Sequence, residues 1–550
     1  MSLRPLLAAV SMSVLLMGCA STGASGTAGG KVDPVRMNET VRVLSGDEFE
    51  GRGPTTPGEE RAVTWIAGQF KALGLEPAGD NGTWYQTVPI NRFVHDGPAV
   101  ITAKAGGQTL TFARGTDVIV GSHRPVSRIT LTDTPVVFVG YGVTAPERGW
   151  DDFKGVDVRG KIVLMLVNDP DFEVAADSPT AGKFDGNGMT YYGRWVYKFE
   201  EAARRGAAGV LVIHETAGAG YPWMTLQNSS TAAGLDIVRA NVEAERVQAQ
   251  GWIQHPVAAK LMQAAGLDFT TLKASAQKSD FRPVDLTGVT MSLDFGQKFE
   301  RLTTRNVAAK LTGTTHPNET VMYGAHWDAF GHATPNAAGD NIYNGAVDNA
   351  SGVAGLLELA RLSAEGPRTG RSQMFVSWAA EEAGLLGAYY YAAHPLVPLE
   401  TTVANINMDS FLPGPAEPEI VVIGYGKTDL QDRLEQDAKA VGRALIADPA
   451  PQVGAFYRSD HFPLAKMGVP ALFAAAGFTG ASERSRAFVK DRYHQPTDAW
   501  DTTWSMEGAA EDVQLLYGVG RWLADGRNWP TWTAGNEFEA VREASKAQRK

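Results

Sequence analysis

A single cysteine, Cys19, rules out a disulfide within the chain and any zinc knuckle built on thiolates, so a metal here would be held by nitrogen and oxygen ligands. Basic charge is also short: 50 Lys and Arg stand against 61 Asp and Glu, a formal net charge of −11. That balance argues against a nucleic-acid partner, because a phosphate backbone requires a basic face. Beyond a short stretch from Leu6 to Leu16, no segment is long and apolar enough to cross a bilayer. No fixed-period repeat runs through the chain. What is present is ordinary for a globular protein: 44% hydrophobic and 20% charged residues over 550 positions, more than one core usually organises. Two or three domains are expected.

The apolar run Leu6–Leu16 follows Arg4 and is too short for a comfortable membrane span, which favours a signal peptide. It ends in Leu16-Met17-Gly18-Cys19, which resembles the lipobox of bacterial lipoproteins. Residues 1–19 are read as the lipoprotein signal; the resemblance implies cleavage before Cys19, diacylation of that cysteine as the new N-terminus, and a membrane partner reached through the lipid. Ala20 after Cys19 resembles lipoproteins held at the periplasmic face of the outer membrane. Residues 20–34 begin small and polar, as a flexible tether should.

The segment from about Val35 to Leu75 reads as helical, with Ala62, Trp65, Ile66, Phe70 and Leu73 at helical spacing, and Thr- and Val-rich alternation predicts strands from Gly82 to about Thr130. Residues 35–130 are read as the N-terminal part of the catalytic region. Short apolar strands then begin near Pro135. Gly140-Tyr141-Gly142, Gly160-Lys161-Ile162-Val163 and the stretch from Ala202 to Ile213 resemble a protease-associated (PA) domain, a small β-rich module, over residues 131–285. From about Thr303 the grammar becomes strand–helix–strand, as in an open α/β sheet, with strands at Thr320–Ala325, Gln373–Trp378, Val403–Met408, Glu419–Gly424 and Pro470–Ala474. This unit is taken as residues 287–530, and residues 531–550 as a charged, solvated tail.

The ends of those strands carry the chemistry. His326 and Asp328 follow one, Glu381 and Glu382 another, and Asp409 a third. Ligands of open α/β sheets bind beyond the carboxyl ends of the strands, so three strands deliver imidazole or carboxylate to one edge. Asp348 opens a helix and His494 lies in a polar loop. Neutral imidazole with carboxylates suits zinc or another first-row ion better than calcium. Of the adjacent Glu381 and Glu382, one can ligate while the other takes a proton from water.

Taken together, His326-Trp327-Asp328, Asp348-Asn349-Ala350-Ser351-Gly352, Glu381-Glu382-Ala383-Gly384-Leu385-Leu386-Gly387, Asn407-Met408-Asp409 and Tyr493-His494 resemble the M28 family of co-catalytic zinc peptidases. Glu50-Gly51-Arg52-Gly53 and Gly74-Leu75-Glu76-Pro77 resemble its N-terminal helix region. The resemblance implies an α/β fold, an open mixed-sheet zinc-exopeptidase domain with the β-rich PA domain inserted. It implies two Zn²⁺ per chain and peptide substrates. His326 and Asp409 would ligate one zinc, Glu382 and His494 the other, and Asp348 both. Glu381 would be the general base, Tyr493 a donor to the oxyanion, and Asp328 the carboxylate orienting the His326 ring. Arg458-Ser459-Asp460-His461 also looks like a family motif at the rim, without a firm role.

The expected activity is removal of N-terminal residues from peptides. The motifs leave open a carboxypeptidase or other amidohydrolase on the same site, a one-zinc glutaminyl cyclase, and, from another class, a receptor or binding protein with an inactive peptidase domain.

Overall fold

The computed structural model describes residues 30–230, 233–474 and 479–549. The lipobox with Cys19 and the first ten residues of the tether lie outside the described residues. Among the described residues no helix is long and apolar enough to cross a membrane.

The central strands are Ala471–Ala474, Thr402–Asn407, His316–His326 and Arg371–Trp378, parallel neighbours in that order. Every residue of Thr402–Asn407 and Arg371–Trp378 is buried, as parallel strands covered on both faces require. Successive side chains enter opposite cores. Tyr323 and Phe375 pack with Leu356 and Val513 under the helices Ser351–Glu365 and Glu507–Asp525, whereas Met322, Met374 and Val376 pack with Ala388, Tyr391 and Leu464 on the other side. Two antiparallel or mixed edge strands, Glu419–Ile423 and Ala444–Ala447, extend this end of the sheet. The architecture is the expected open mixed α/β sheet.

At its other end the sheet continues through one 28-residue strand, Val284–Leu311. Its last residues pair with Arg371–Trp378, its first with Arg128–Phe138, and its length from Thr290 to Val307 with Tyr85–Ala105. The expected boundary at 285–287 therefore falls inside a continuous strand. Beyond it, Arg128–Phe138, Ile162–Leu166, Gly209–His214 and Ala249–Gln254 run parallel, and Val118–Gly121 closes the edge antiparallel. Helices Trp195–Arg204, His255–Ala264 and Phe269–Ala276 complete this module, so its grammar is α/β as well as β-rich.

One expectation is corrected: the segment Val35–Leu75 is two helices, Pro34–Leu44 and Pro57–Ala72, broken by a turn in which Glu50, Gly51 and Arg52 take positive φ. The tail, with its short helix Glu539–Ala544, is mostly exposed but anchored: Trp532 and Phe538 are buried, and Arg542, 2% exposed, donates to the carbonyls of Thr402 and Val403. Its charges are real, but a planar guanidinium can satisfy the free carbonyls at a strand's start.

Candidate metal centre

His326 is the last residue of the strand His316–His326. Glu381 and Glu382 follow Arg371–Trp378, and Asp409 follows Thr402–Asn407. These strands are parallel neighbours, so all four side chains emerge at one edge. Asp348 enters from the loop before Ser351–Glu365, and His494 from the loop after the helix Glu483–Asp491.

The donor atoms form two groups that share one residue. His326, Asp348 and Asp409 make one triad and Asp348, Glu382 and His494 the other, with donor atoms in each within 4.8 Å of one another. His326 Nε2 lies 3.3 Å from Asp348 Oδ1 and 3.6 Å from Asp409 Oδ1. His494 Nε2 lies 3.3 Å from Asp348 Oδ2 and 3.3 Å from Glu382 Oε2. Asp348 thus turns one oxygen to each triad. Glu381 belongs to neither; its Oε2 stands 3.9 Å from His326 Nε2.

Backbone hydrogen bonds fix these loops. Asp498, 2% exposed, accepts from Val347 N and Asp348 N, each at 3.0 Å. Asn349 Nδ2 donates to Met408 O at 3.0 Å, and its Oδ1 accepts from Gly352 N and Ser410 N. The helix is thereby capped by Asn349, which leaves the Asp348 carboxylate free for the cluster. A side chain at Gly352 would meet Asn349 Oδ1 at 2.2 Å and Met408 O at 2.6 Å, so only glycine lets the two loops touch. Asn407 Nδ2 donates to Ser459 Oγ, which donates to Asp409 Oδ2, both at 2.8 Å.

Asp328 acts differently from the expectation. His326 Nδ1 lies 3.1 Å from the Asp328 backbone carbonyl and 3.8 Å from its carboxylate. The carboxylate instead accepts from Glu381 N and Glu382 N at 3.0 and 3.2 Å, pinning the strand end that carries the glutamate pair. The carbonyl still sets the ring so that Nε2 faces the triad. Arg52, fully buried, donates to the carbonyls of Leu44, Trp327, Asn344 and Gly345. Arg52→Ala would orphan four buried acceptors. A loss of about 3 kcal/mol or more is expected in urea denaturation, and a loss under about 1 kcal/mol would contradict the clamp.

The electrostatics demand cations. Burial, with Asp460, Asp409 and Asp348 close by, drives the Glu381 carboxyl well above its ordinary pKa, and burial with Asp348 and Glu381 does the same to Glu382. Against the cost of burial, contacts with His326 and His494 hold Asp348 below the usual carboxylate range. Buried His326 Nε2 and Glu382 Oε1 have no hydrogen-bond partner among the described residues. Four crowded carboxylates with aimed but unsatisfied donor atoms are costly alone, and a bound divalent cation would offset that cost. One imidazole with carboxylates per triad fits zinc.

Tyr493 stacks on His494 with centroids 3.8 Å apart; burial and then Asp348 push its hydroxyl well above the ordinary range, so it stays a donor. Tyr493, Glu381 and the second triad line a cavity of about 220 Å³, which Tyr191, Arg194 and Trp195 of the 131–285 module also line. His461 is fully buried between Phe456 and Phe473, and Trp327 is fully buried with its indole on the Arg305 carbonyl, so neither lines the cavity, whereas Tyr389 does. Sequence reading missed Asp498, though an acid four residues after a candidate ligand is a usable signal; it saw no role for Ser459.

Mouse "Aminopeptidase NAALADL1" is 35% identical over 128 residues, 22% of this chain and 16% of that protein. "Probable lipoprotein aminopeptidase LpqL" of Mycobacterium tuberculosis is 28% identical over 252 residues, 40% of this chain and 46% of that protein. The chain thus spans less than half the length of either curated relative. The solved "Aminopeptidase from Aneurinibacillus sp. strain AM-1" is 21% identical with a TM-score of 0.47, covering 90% of this chain and 94% of its own. The model of Peptidase family M28 matches residues 306–517, the stretch that holds all five candidate ligands together with Glu381 and Tyr493.

Proposed function

We propose that this chain is a zinc-dependent aminopeptidase that binds two zinc ions and hydrolyses N-terminal residues from peptides. The observation that carries the reading is the pair of triads sharing Asp348, with Glu381 beside them and outside both. His326 and Asp409 would hold one ion, Glu382 and His494 the other, and Asp348 both. Zinc bound there would supply Lewis acidity and lower the pKa of water. Glu381 takes the proton of the attacking water and returns it to the leaving amine, and burial raises its pKa toward the range of a group that can do both. Tyr493 Oη donates to the oxygen that gains charge as the carbonyl becomes tetrahedral. Asp328, Asp498 and Ser459 keep the strand ends and loops in place. The 131–285 module is read as a PA domain, and its residues at the cavity support a role as a wall that limits substrate size. The lipobox at Cys19 supports a lipid anchor, and the printed name of the mycobacterial relative is consistent with it.

The test is zinc content of the chain from Ser21 onward, with hydrolysis of aminoacyl-nitroanilides before and after chelation. Two zinc per chain are expected, with activity lost on chelation and regained with zinc. Two zinc with cleavage only of N-blocked peptides at the C-terminus would replace this reading by a carboxypeptidase; a folded chain that takes up no metal would end it.

A further inference from the structure

The cavity that holds the acids is also lined by two arginines from different parts of the chain. Arg194 comes from the 131–285 module and Arg458 from the loop before the helix His461–Lys466, and both line the cavity that holds Asp348, Glu381, Glu382 and Asp409. Arg194 is half-buried and Arg458 exposed at the rim.

Neither has a carboxylate within ion-pair distance among the described residues; the side-chain contact of Arg194 is the Met189 sulfur at 3.9 Å. Nearby Arg148, Arg204, Arg239 and Arg246 each hold an acid. A guanidinium taken out of water without a partner is costly, and two that face one cavity repel each other. Burial, with the charge of Arg458 second, lowers the Arg194 pKa to about 10, which leaves it charged at neutrality. Arg194 also stands at the start of the helix Trp195–Arg204, and Trp195 and Val196 of its first turn line the same cavity, so the positive helix end adds to the field. The cavity therefore carries both signs of charge, with acids from the strand ends and two guanidinium groups among its lining.

We infer that Arg194 and Arg458 form a carboxylate subsite, which makes the preferred substrates peptides that place a negative charge one residue or so from the scissile bond. This rests on the peptidase reading above. A guanidinium fork pairs with a carboxylate through two parallel hydrogen bonds. Two sources present that group: an acidic side chain, and the free C-terminus of a dipeptide.

Five matched substrate pairs separate them. Ala-Ala against Ala-Ala-amide reads the terminal carboxylate. Ala-Glu-amide against Ala-Gln-amide and Ala-Asp-amide against Ala-Asn-amide read the side chain after the cleaved bond; Glu-Ala-amide against Gln-Ala-amide and Asp-Ala-amide against Asn-Ala-amide read the one before it. The zinc-loaded wild type is expected to favour the charged member of at least one pair by roughly tenfold to a hundredfold in kcat/KM, the scale of a charge-assisted hydrogen bond. Arg194→Gln with Arg458→Gln is expected to bring that ratio within about threefold. The ratio is read within one preparation, so loss of folded protein cancels. Arg458→Gln alone, at an exposed position, serves if the double variant does not fold, and the ratio must then fall at least threefold. Ratios within threefold for every wild-type pair, or a preference that survives the substitutions, overturn the inference and leave the peptidase reading standing. No hydrolysis of any substrate removes both.

Discussion

Asp348→Ala is expected to abolish zinc binding at both triads with one substitution. Asp348 supplies an oxygen to each, at 3.3 Å from His326 Nε2 and 3.3 Å from His494 Nε2, and among the described residues no other carboxylate is shared. Zinc per chain should fall below one after gel filtration, and peptide hydrolysis should fall by far more than the roughly 10–100-fold that partners of a ligand cost. Asp498→Asn is the comparison. It removes acceptor capacity for Val347 N and Asp348 N but leaves the ligand, so it should weaken zinc binding within that roughly 10–100-fold range and recover at higher zinc. Two tightly held zinc ions in Asp348→Ala would refute the sharing.

Glu381→Gln is expected to leave zinc content at two and to lower kcat by roughly 10²–10⁴-fold, the contribution of a positioned general acid–base. The substitution keeps shape and hydrogen-bonding reach while removing the proton acceptor. The neighbouring Glu382→Gln should behave otherwise, losing the ion that His494 helps to hold, because Glu382 is in a triad and Glu381 is not. Metal analysis beside single-substrate kinetics separates the two. Activity of Glu381→Gln within tenfold of wild type would take the proton-transfer role away from it.

The placement of the ligands was legible because it follows from strand grammar. Buried runs such as Gln373–Trp378 end abruptly in charge, and charge at the end of a covered strand has few uses besides a site. The sharing of Asp348 came with the family resemblance; in the structure its two oxygens lie 3.3 Å from His326 Nε2 and from His494 Nε2. What escaped reading acts through backbone or across long separations. Asp498 works on amides 150 and 151 residues away, and Arg52 on carbonyls up to 293 residues away; neither leaves a local pattern. Asp328 was given the correct target by the wrong atom, since a main-chain carbonyl has no sequence signature. Arg194 was invisible because its partners in the cavity belong to a different module. The anchoring of the tail was hidden because its charges outnumber its few buried anchors, Trp532, Phe538 and Arg542.

The pairing of Tyr85–Ala105 with Val284–Leu311 also sets an order of events during synthesis. The first strand leaves the ribosome well before its partner: about 185 residues separate Ala105 from Thr290, where the pairing begins. At about 5–20 residues per second, that is roughly 10–40 s during which the first strand lacks that partner. Its short neighbour Gln108–Phe112 covers Ile101–Ala105 as soon as it emerges, but the remainder presents open amides and carbonyls to other chains. The stretch that waits carries Arg92, His95 and Asp96 with Pro89 and Pro98, polar or proline residues of the kind that discourage edge-to-edge association. The same strand that later knits both halves of the molecule together thus begins as the segment most in need of protection from its own copies.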